Sequence, residues 1–369
     1  MPQLCSKEKK LKRSIVRLAG IPLYIHWSFW LLIIWIVISN VRKGTDAVHI
    51  GWSLVFIALI FVCVVLHELG HALTARRFGI GTKSIVLLPI GGVANIEKIP
   101  DNPKQELWIT VMGPAVNLLL ALILFPFIHA DITNAAQLEE LAIVSSRTLV
   151  FNVFAVNVFM LLFNLIPAFP MDGGRILRAT AAFFTSWKKA TRIATIVGNL
   201  IAVVFIVAGV LNMNLMLSLI GLFVIFAAQS ELRYATTKSV LEHFKVKDAL
   251  ITNYYQLSSH DPLNEAARLL LSTQSKKFVV MDQSSPAGII GHEQIIKALA
   301  EGNAAAPVSA YMQTNLSKTE AEESLQKVYD QLMRSEESTM IVETNGQFAG
   351  IIDLENIREL IALQAGNDG

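Results

Sequence analysis

Six apolar stretches divide the first two thirds of the chain, at about 21–39, 51–75, 107–128, 148–166, 193–211 and 215–228. A helix needs about 20 apolar residues to cross a bilayer, so the pattern predicts six spans. A further apolar segment, 82–96, is interrupted by Pro89, Gly91 and Gly92. It predicts a short membrane-associated hairpin, which either offers an exposed edge for strand addition by an extended peptide or serves only as a packing loop. The sixth span is the shortest, and only Asn212, Met213 and Asn214 separate it from the fifth. A re-entrant hairpin there would move the tail to the opposite side of the membrane.

From about Lys238 the apolar runs give way to a mixed charged and apolar pattern that repeats at an offset of 62 positions. Val246–Leu250 aligns with Val308–Met312, the helical pattern from Leu263 with that from Leu325, Phe278 with Met340, and Gly288 with Gly350. Each unit reads as a helix, a buried strand, a Gly-containing turn, a second strand and a second helix. The predicted fold class is an α-helical polytopic membrane protein with a short hairpin, followed by a soluble α/β tail. The expected domains are 1–235 and 236–369, the tail repeats covering about 246–305 and 308–369.

Composition agrees with this division: 53% of the 369 residues are hydrophobic and 16% are charged, which excludes an ordinary soluble enzyme. The net charge of +2 gives no reason to expect a nucleic-acid partner, and the position of the cations matters more. Lys7, Lys9, Lys10, Lys12, Arg13 and Arg17 precede the first span, whose apolar run is too long for a signal-peptide core. With that end inside, Arg76, Arg77, Lys83, Lys98 and Lys104 fall on the cytoplasmic side, as do Arg175, Arg178, Lys188, Lys189 and Arg192. Only Arg42, Lys43 and Arg147 fall outside, in line with the positive-inside rule. The expected location is therefore the plasma membrane, multi-pass, with the N-terminus and tail cytoplasmic. Cys5 and Cys63 make no disulfide framework.

The second span carries His67, Glu68 and His71. On a helix, positions 67 and 71 are one turn apart on one face, so both imidazoles can reach one metal ion with Glu68 beside it. Two histidines and a glutamate in an apolar span are costly to bury unpaired, which makes function the default reading. Catalytic zinc takes three protein ligands and keeps a fourth position open. The candidate for the third is Asp172, where Pro167, Pro170, Gly173 and Gly174 break the chain after the fourth span. Taken alone, Asp172 also suits a turn or helix cap. Cys63 shares the face of His67, and its neighbours favour plain packing. His26 opens the first span beside Trp27 and either rests in the interface or approaches the site. The other histidines read as loop or surface residues. Asn117, Asn157 and Asn164 are polar within spans; Asn157 reads as interhelical glue, while Asn117 and Asn164 flank the site and are candidates for binding substrate.

Together, His67 to His71, Gly113 to Asn117, Asn164 to Pro167 and Met171 to Gly174 resemble the site-2 protease family of intramembrane zinc metalloproteases, in the prokaryotic branch that ends in a CBS pair. The resemblance implies one zinc ion on His67, His71 and Asp172, catalysis by Glu68, and substrate placement by Asn117 and Asn164. It also implies a membrane-spanning substrate, such as an anti-sigma factor, a membrane-tethered transcription regulator or a signal-peptide remnant. Met171 stands where the family commonly has Leu. CBS pairs often bind adenine nucleotides, through a Gly, two apolar residues, a Ser or Thr, and an Asp or Asn three further on. Here Gly288 is followed by Gly291 and Gln294, and Gly350 by Asp353 and Asn356. Asn356 alone fits a ribose, and Asp353 would repel a phosphate, leaving a nucleotide sensor and a ligand-free dimerisation or docking module both open. His67 lies sixteen residues past Gly51, about 24 Å along a helix, which puts cleavage toward the cytoplasmic side. A CBS-regulated metal-ion transporter is the alternative, although transport would not require Glu68 next to the first ligand.

Overall fold

A computed structural model describes residues 16–367, apart from 90, 98–99, 101, 129–143, 274, 284 and 336. The basic residues before Arg17, together with Cys5, Lys98 and His129, lie outside the described residues. Two compact units result, one ending at Ala235 and the other beginning at Thr236.

The first unit opens with strands β1 (Val16–Leu18) and β2 (Ile21–Ile25), joined by Ala19 and Gly20, both with positive φ, as a tight two-residue hairpin requires. Strand β2 pairs in parallel with β3 (Thr82–Leu88), which pairs antiparallel with β4 (Gly91–Ile96), giving the sheet order β1-β2-β3-β4. The expected hairpin at 82–96 is therefore present, with β4 on the outside. The expected first span is corrected: 21–25 is strand, and helix α1 runs only over Ser28–Arg42. A short apolar run does not distinguish strand from helix by itself, and the decision came from a pairing partner far along the chain.

Helix α2 (Ala47–Arg77) is 31 residues long, begins where Asp46 accepts a hydrogen bond from the His49 amide at 3.0 Å, and ends on Arg76 and Arg77. Its Phe61, Val64 and Val65 pack with Leu87 of the sheet. Helix α3 (Pro103–Leu124) starts at an Asn102 cap and continues through Pro114. Then come α4 (Leu149–Asn164), an irregular stretch with a cis Phe169–Pro170 bond, α5 (Asp172–Ala181), α6 (Trp187–Leu211) and α7 (Leu215–Leu241). Helices α6 and α7 run antiparallel, since Gly209 meets Ser218, Gly221 meets Ala202, and Thr195 donates to the Ala228 carbonyl. Among the described residues, four helices are long and apolar enough to cross a membrane (Ala47–Arg77, Pro103–Phe127, Trp187–Leu211 and Leu215–Leu241), while Ser28–Arg42 and Leu149–Asn164 are shorter. The expected sixth span is longer than its apolar core suggested.

The tail repeats itself in structure as it does in sequence. Strands β5 (Gln256–Ser258), β6 (Lys277–Asp282) and β7 (Ser285–Gly291) form one sheet with α8 (Leu263–Ser272) and α9 (His292–Ala300). Strands β8 (Lys318–Glu320), β9 (Thr339–Thr344) and β10 (Gln347–Asp353) form the second with α10 (Leu325–Arg334) and α11 (Leu354–Asn367). The first strand of each sheet has only three residues and carries too little periodicity to be read from sequence. Each half has its own core, around Phe278 and Ile290 in the first and Met340 and Ile352 in the second. Bridges at Ile251–Ile351 and Ile289–Gln313 help join the halves.

Candidate metal centre

Helix α2 puts His67 and His71 on one face, with their Nε2 atoms 3.1 Å apart. The chain break between α4 and α5 delivers Asp172 as the first residue of α5, with Oδ2 at 3.2 Å from His67 Nε2 and 3.3 Å from His71 Nε2. Asp172 therefore is not the residue capping α5; Met171 holds that position. Gly173 and Gly174 let the break fold back tightly, because a side chain at either would overlap the backbone of 165–169.

The protons on the rings decide what this cluster can hold. His71 Nδ1 faces the Ile109 carbonyl at 2.8 Å; a carbonyl only accepts, so Nδ1 carries the proton and Nε2 presents a lone pair. His67 Nδ1 faces the Asn117 side-chain amide at 3.1 Å. Asp172 Oδ2 is buried and has no hydrogen-bond partner among the described residues. Three potential ligand atoms thus converge at 3.1–3.3 Å from one another in a buried pocket, an arrangement that requires a shared proton or a metal cation between them. Tetrahedral zinc with bonds near 2.0–2.1 Å would separate its ligands by roughly 3.3 Å. The donor set, two imidazoles and one carboxylate, fits zinc with a position left over.

Helix α3 packs over this pocket. A Cβ at Gly113 would overlap the His71 ring and crowd His67, and one at Gly70 would stand 2.6 Å from the Met112 carbonyl oxygen, so the two glycines set how closely α2 and α3 approach. Glu68 is half-buried, and its Oε2 accepts from the Ala94 amide of β4 at 3.0 Å.

Asn117 is fully buried against His67, and Asn157 reaches Cys63 Sγ at 3.3 Å, joining α4 to α2 as glue. Asn164 is half-buried at the end of α4. His26 hydrogen-bonds through its amide to Leu87 and through its ring to Ser28 at 2.5 Å. In the tail, Asp353 Oδ1 caps α11 by accepting from the Asn356 amide at 2.7 Å, and the Asn356 side chain donates to the Ala249 carbonyl at 2.7 Å. The one residue that fitted a ribose is therefore engaged within the fold. Sequence reasoning missed Glu106 and Arg178. Arg178, counted only among the cytoplasmic-side cations, is 1% exposed, and no local pattern in the sequence marked it as buried.

The model of peptidase family M50 matches residues 55–134 and 129–208, and that of the CBS domain matches 246–301. A zinc metalloprotease of Methanocaldococcus jannaschii is 32% identical over 95% of this chain and 96% of its own length. Stage IV sporulation protein FB of Bacillus subtilis is 30% identical over 36% of this chain and 43% of its own. The solved site-2 protease from Methanocaldococcus jannaschii is 37% identical, with a TM-score of 0.44 over 59% of this chain and 94% of that one. With relatedness at this level along nearly its whole length, the chain belongs to peptidase family M50, the zinc metalloproteases of the site-2 protease type, and carries a CBS domain in its tail.

Proposed function

We propose that this chain hydrolyses a peptide bond within or near the transmembrane segment of a membrane-anchored protein. The observation that carries the reading is the convergence of His67 Nε2, His71 Nε2 and Asp172 Oδ2, with Glu68 next in the chain to the first ligand. His67, His71 and Asp172 hold one zinc ion. When bound, zinc makes a water molecule acidic near neutral pH and polarises a carbonyl oxygen. Glu68 takes the proton of the attacking water and delivers it to the leaving amine nitrogen, while the Ala94 N–H fixes one of its carboxylate oxygens. Asn117 supports the metal rather than the substrate. His67 Nε2 must offer a lone pair, so its Nδ1 carries the proton and the end of the Asn117 amide facing it must be the accepting Oδ1, a common support for a ligating histidine. Asn164 is the remaining substrate-binding candidate, and β4, an outer strand, offers an edge for an unwound substrate.

The substrates we propose are anti-sigma factors, membrane-tethered transcription regulators and signal-peptide remnants. The enzyme resides in the plasma membrane, with its N-terminus and tail in the cytoplasm. For the tail we propose regulation of the protease through self-association, because the Asp353 carboxylate caps α11 and the Asn356 side chain is engaged by the Ala249 carbonyl. The test of the protease reading is Glu68→Gln in the full chain. The variant should keep zinc, lose peptide cleavage, and cause single-pass proteins to accumulate in the membrane proteome. Retained cleavage would overturn the reading, and metal flux that survives the substitution would favour a transporter.

A further inference from the structure

Glu106, Ile109, Gly113 and Asn117 lie three or four residues apart on α3 and so form one stripe of that helix. Three of them act on the imidazoles: Ile109 through its carbonyl on His71, Asn117 through its amide on His67, and Gly113 through the space it leaves. Glu106 instead reaches α5. Its carboxylate accepts from Arg178 Nε at 2.8 Å, from Arg178 Nη2, and from Trp187 Nε1 at 3.3 Å. Arg178 Nη1 also donates to Glu231 Oε2 of α7 at 3.0 Å. The guanidinium stands 5.2 Å from the Phe169 ring centroid and 4.8 Å from that of Trp187.

Arg178 and Glu106 are 1% and 3% exposed. A buried ion pair is a poor way to gain stability, because apolar residues of similar volume often serve as well or better. Its geometric value here is specific. Arg178 belongs to the helix that Asp172 opens, and it also touches Phe169 in the segment that delivers Asp172. Arg178 Nε and Nη2 converge on the single oxygen Oε1 of Glu106 while Nη1 reaches Glu231, and a planar guanidinium held along two edges fixes orientation as well as distance. We infer that Glu106 and Arg178 are a positioning pair that sets the Asp172 carboxylate relative to the imidazoles, by tying α5 to the same stripe of α3 that orients both rings. Their hydrogen bonds go to each other, to Glu231 and to Trp187 rather than to His67, His71 or Asp172. The inference rests on the metal centre proposed above.

The test uses the full chain in lipid or detergent, stripped with a chelator and reloaded with Zn2+ or Co2+. The double variant Glu106→Leu/Arg178→Met replaces the pair with apolar groups, a kind of exchange that buried ion pairs often tolerate. Arg178→Lys keeps the charge and loses the planar donor set that reaches Glu106 and Glu231 together. Both should bind zinc about 10- to 100-fold more weakly, as is usual when the support of a ligand is lost. The Co2+ ligand-field bands should shift, and kcat should fall with KM nearly unchanged. A folded double variant with wild-type zinc affinity and an unshifted Co2+ spectrum would overturn the inference; if the double variant does not fold, Arg178→Lys decides on the same two measurements. Asp172→Ala separates the two levels of the argument. Loss of zinc there with no change in the pair variants refutes the positioning pair alone, whereas unchanged zinc affinity in Asp172→Ala refutes the metal centre itself.

Discussion

Gly113 of α3 faces Nε2 of His71 so closely that a methyl group does not fit between them. The same absent side chain leaves room for His67, so one glycine defines the depth at which both ligands sit.

Gly113→Ala should therefore fold and fail to hold metal properly. The added carbon must push α3 away or turn the imidazoles, and we expect zinc affinity to fall at least about 10-fold, on the scale of losing a ligand's support. Chelator competition against the wild type measures this directly. Undisturbed affinity would mean that α2 and α3 approach less closely than the structure shows.

Gly92→Ala should separate catalysis from metal binding. A Cβ at this position in β4 would stand 2.8 Å from Glu68 Cγ and 2.9 Å from Val64 Cγ1, so it displaces the base and leaves the three ligands alone. Misplacing a reacting group by about 1 Å can cost on the order of 100-fold in rate. The expected result is a fall in kcat with zinc content and KM unchanged, read by steady-state kinetics and metal analysis.

The direction of the Asn117 amide is open to a simple substitution test. If Oδ1 accepts from His67 Nδ1–H, Asn117→Asp retains the acceptor and should keep zinc affinity, whereas Asn117→Leu should weaken it about 10- to 100-fold. Equal loss in both variants would show that the amide donates. NMR of the imidazole nitrogens, with Nδ1 of His67 protonated in the zinc-loaded wild type, gives a second reading of the same question.

The tail should be indifferent to adenine nucleotides. Asp353 supplies the negative group at the N-terminus of α11, and its second oxygen lies 3.3 Å from Lys277 Nζ. A ligand present at about 100 times its Kd stabilises a fold by about 2.7 kcal/mol, so binding of AMP or ATP would show as a higher melting temperature of the full chain. No shift is expected, and a clear shift would restore the sensor reading.

Much of the site was legible because its signals are local. His67 and His71 are one helical turn apart, and that relation survives whatever surrounds the helix. Asp172 was legible through the prolines and glycines beside it, which mark a break where a carboxylate can enter. The hydrogen-bond partners of Asn117 and Arg178 were not legible, because nothing near either residue names its partner. Asn117 read as a substrate contact, yet its amide is fully buried against a ring fifty positions earlier. Arg178 counted only as one of the cytoplasmic-side cations, yet it is enclosed between carboxylates from α3 and α7. The strand at Ile21–Ile25 was hidden for the same reason, since its parallel partner lies beyond two helices.

The amino-acid sequence alone determined the apolar segments, the duplicated tail and the chemical identity of the metal-binding groups, all of which depend on spacing and composition over a few turns. Tertiary structure decided which way each ring nitrogen points, how close α3 stands to α2, and which ion pair secures the helix that carries Asp172. Those choices depend on contacts between segments far apart in the chain, where packing volume and hydrogen-bond direction are settled only once the segments meet.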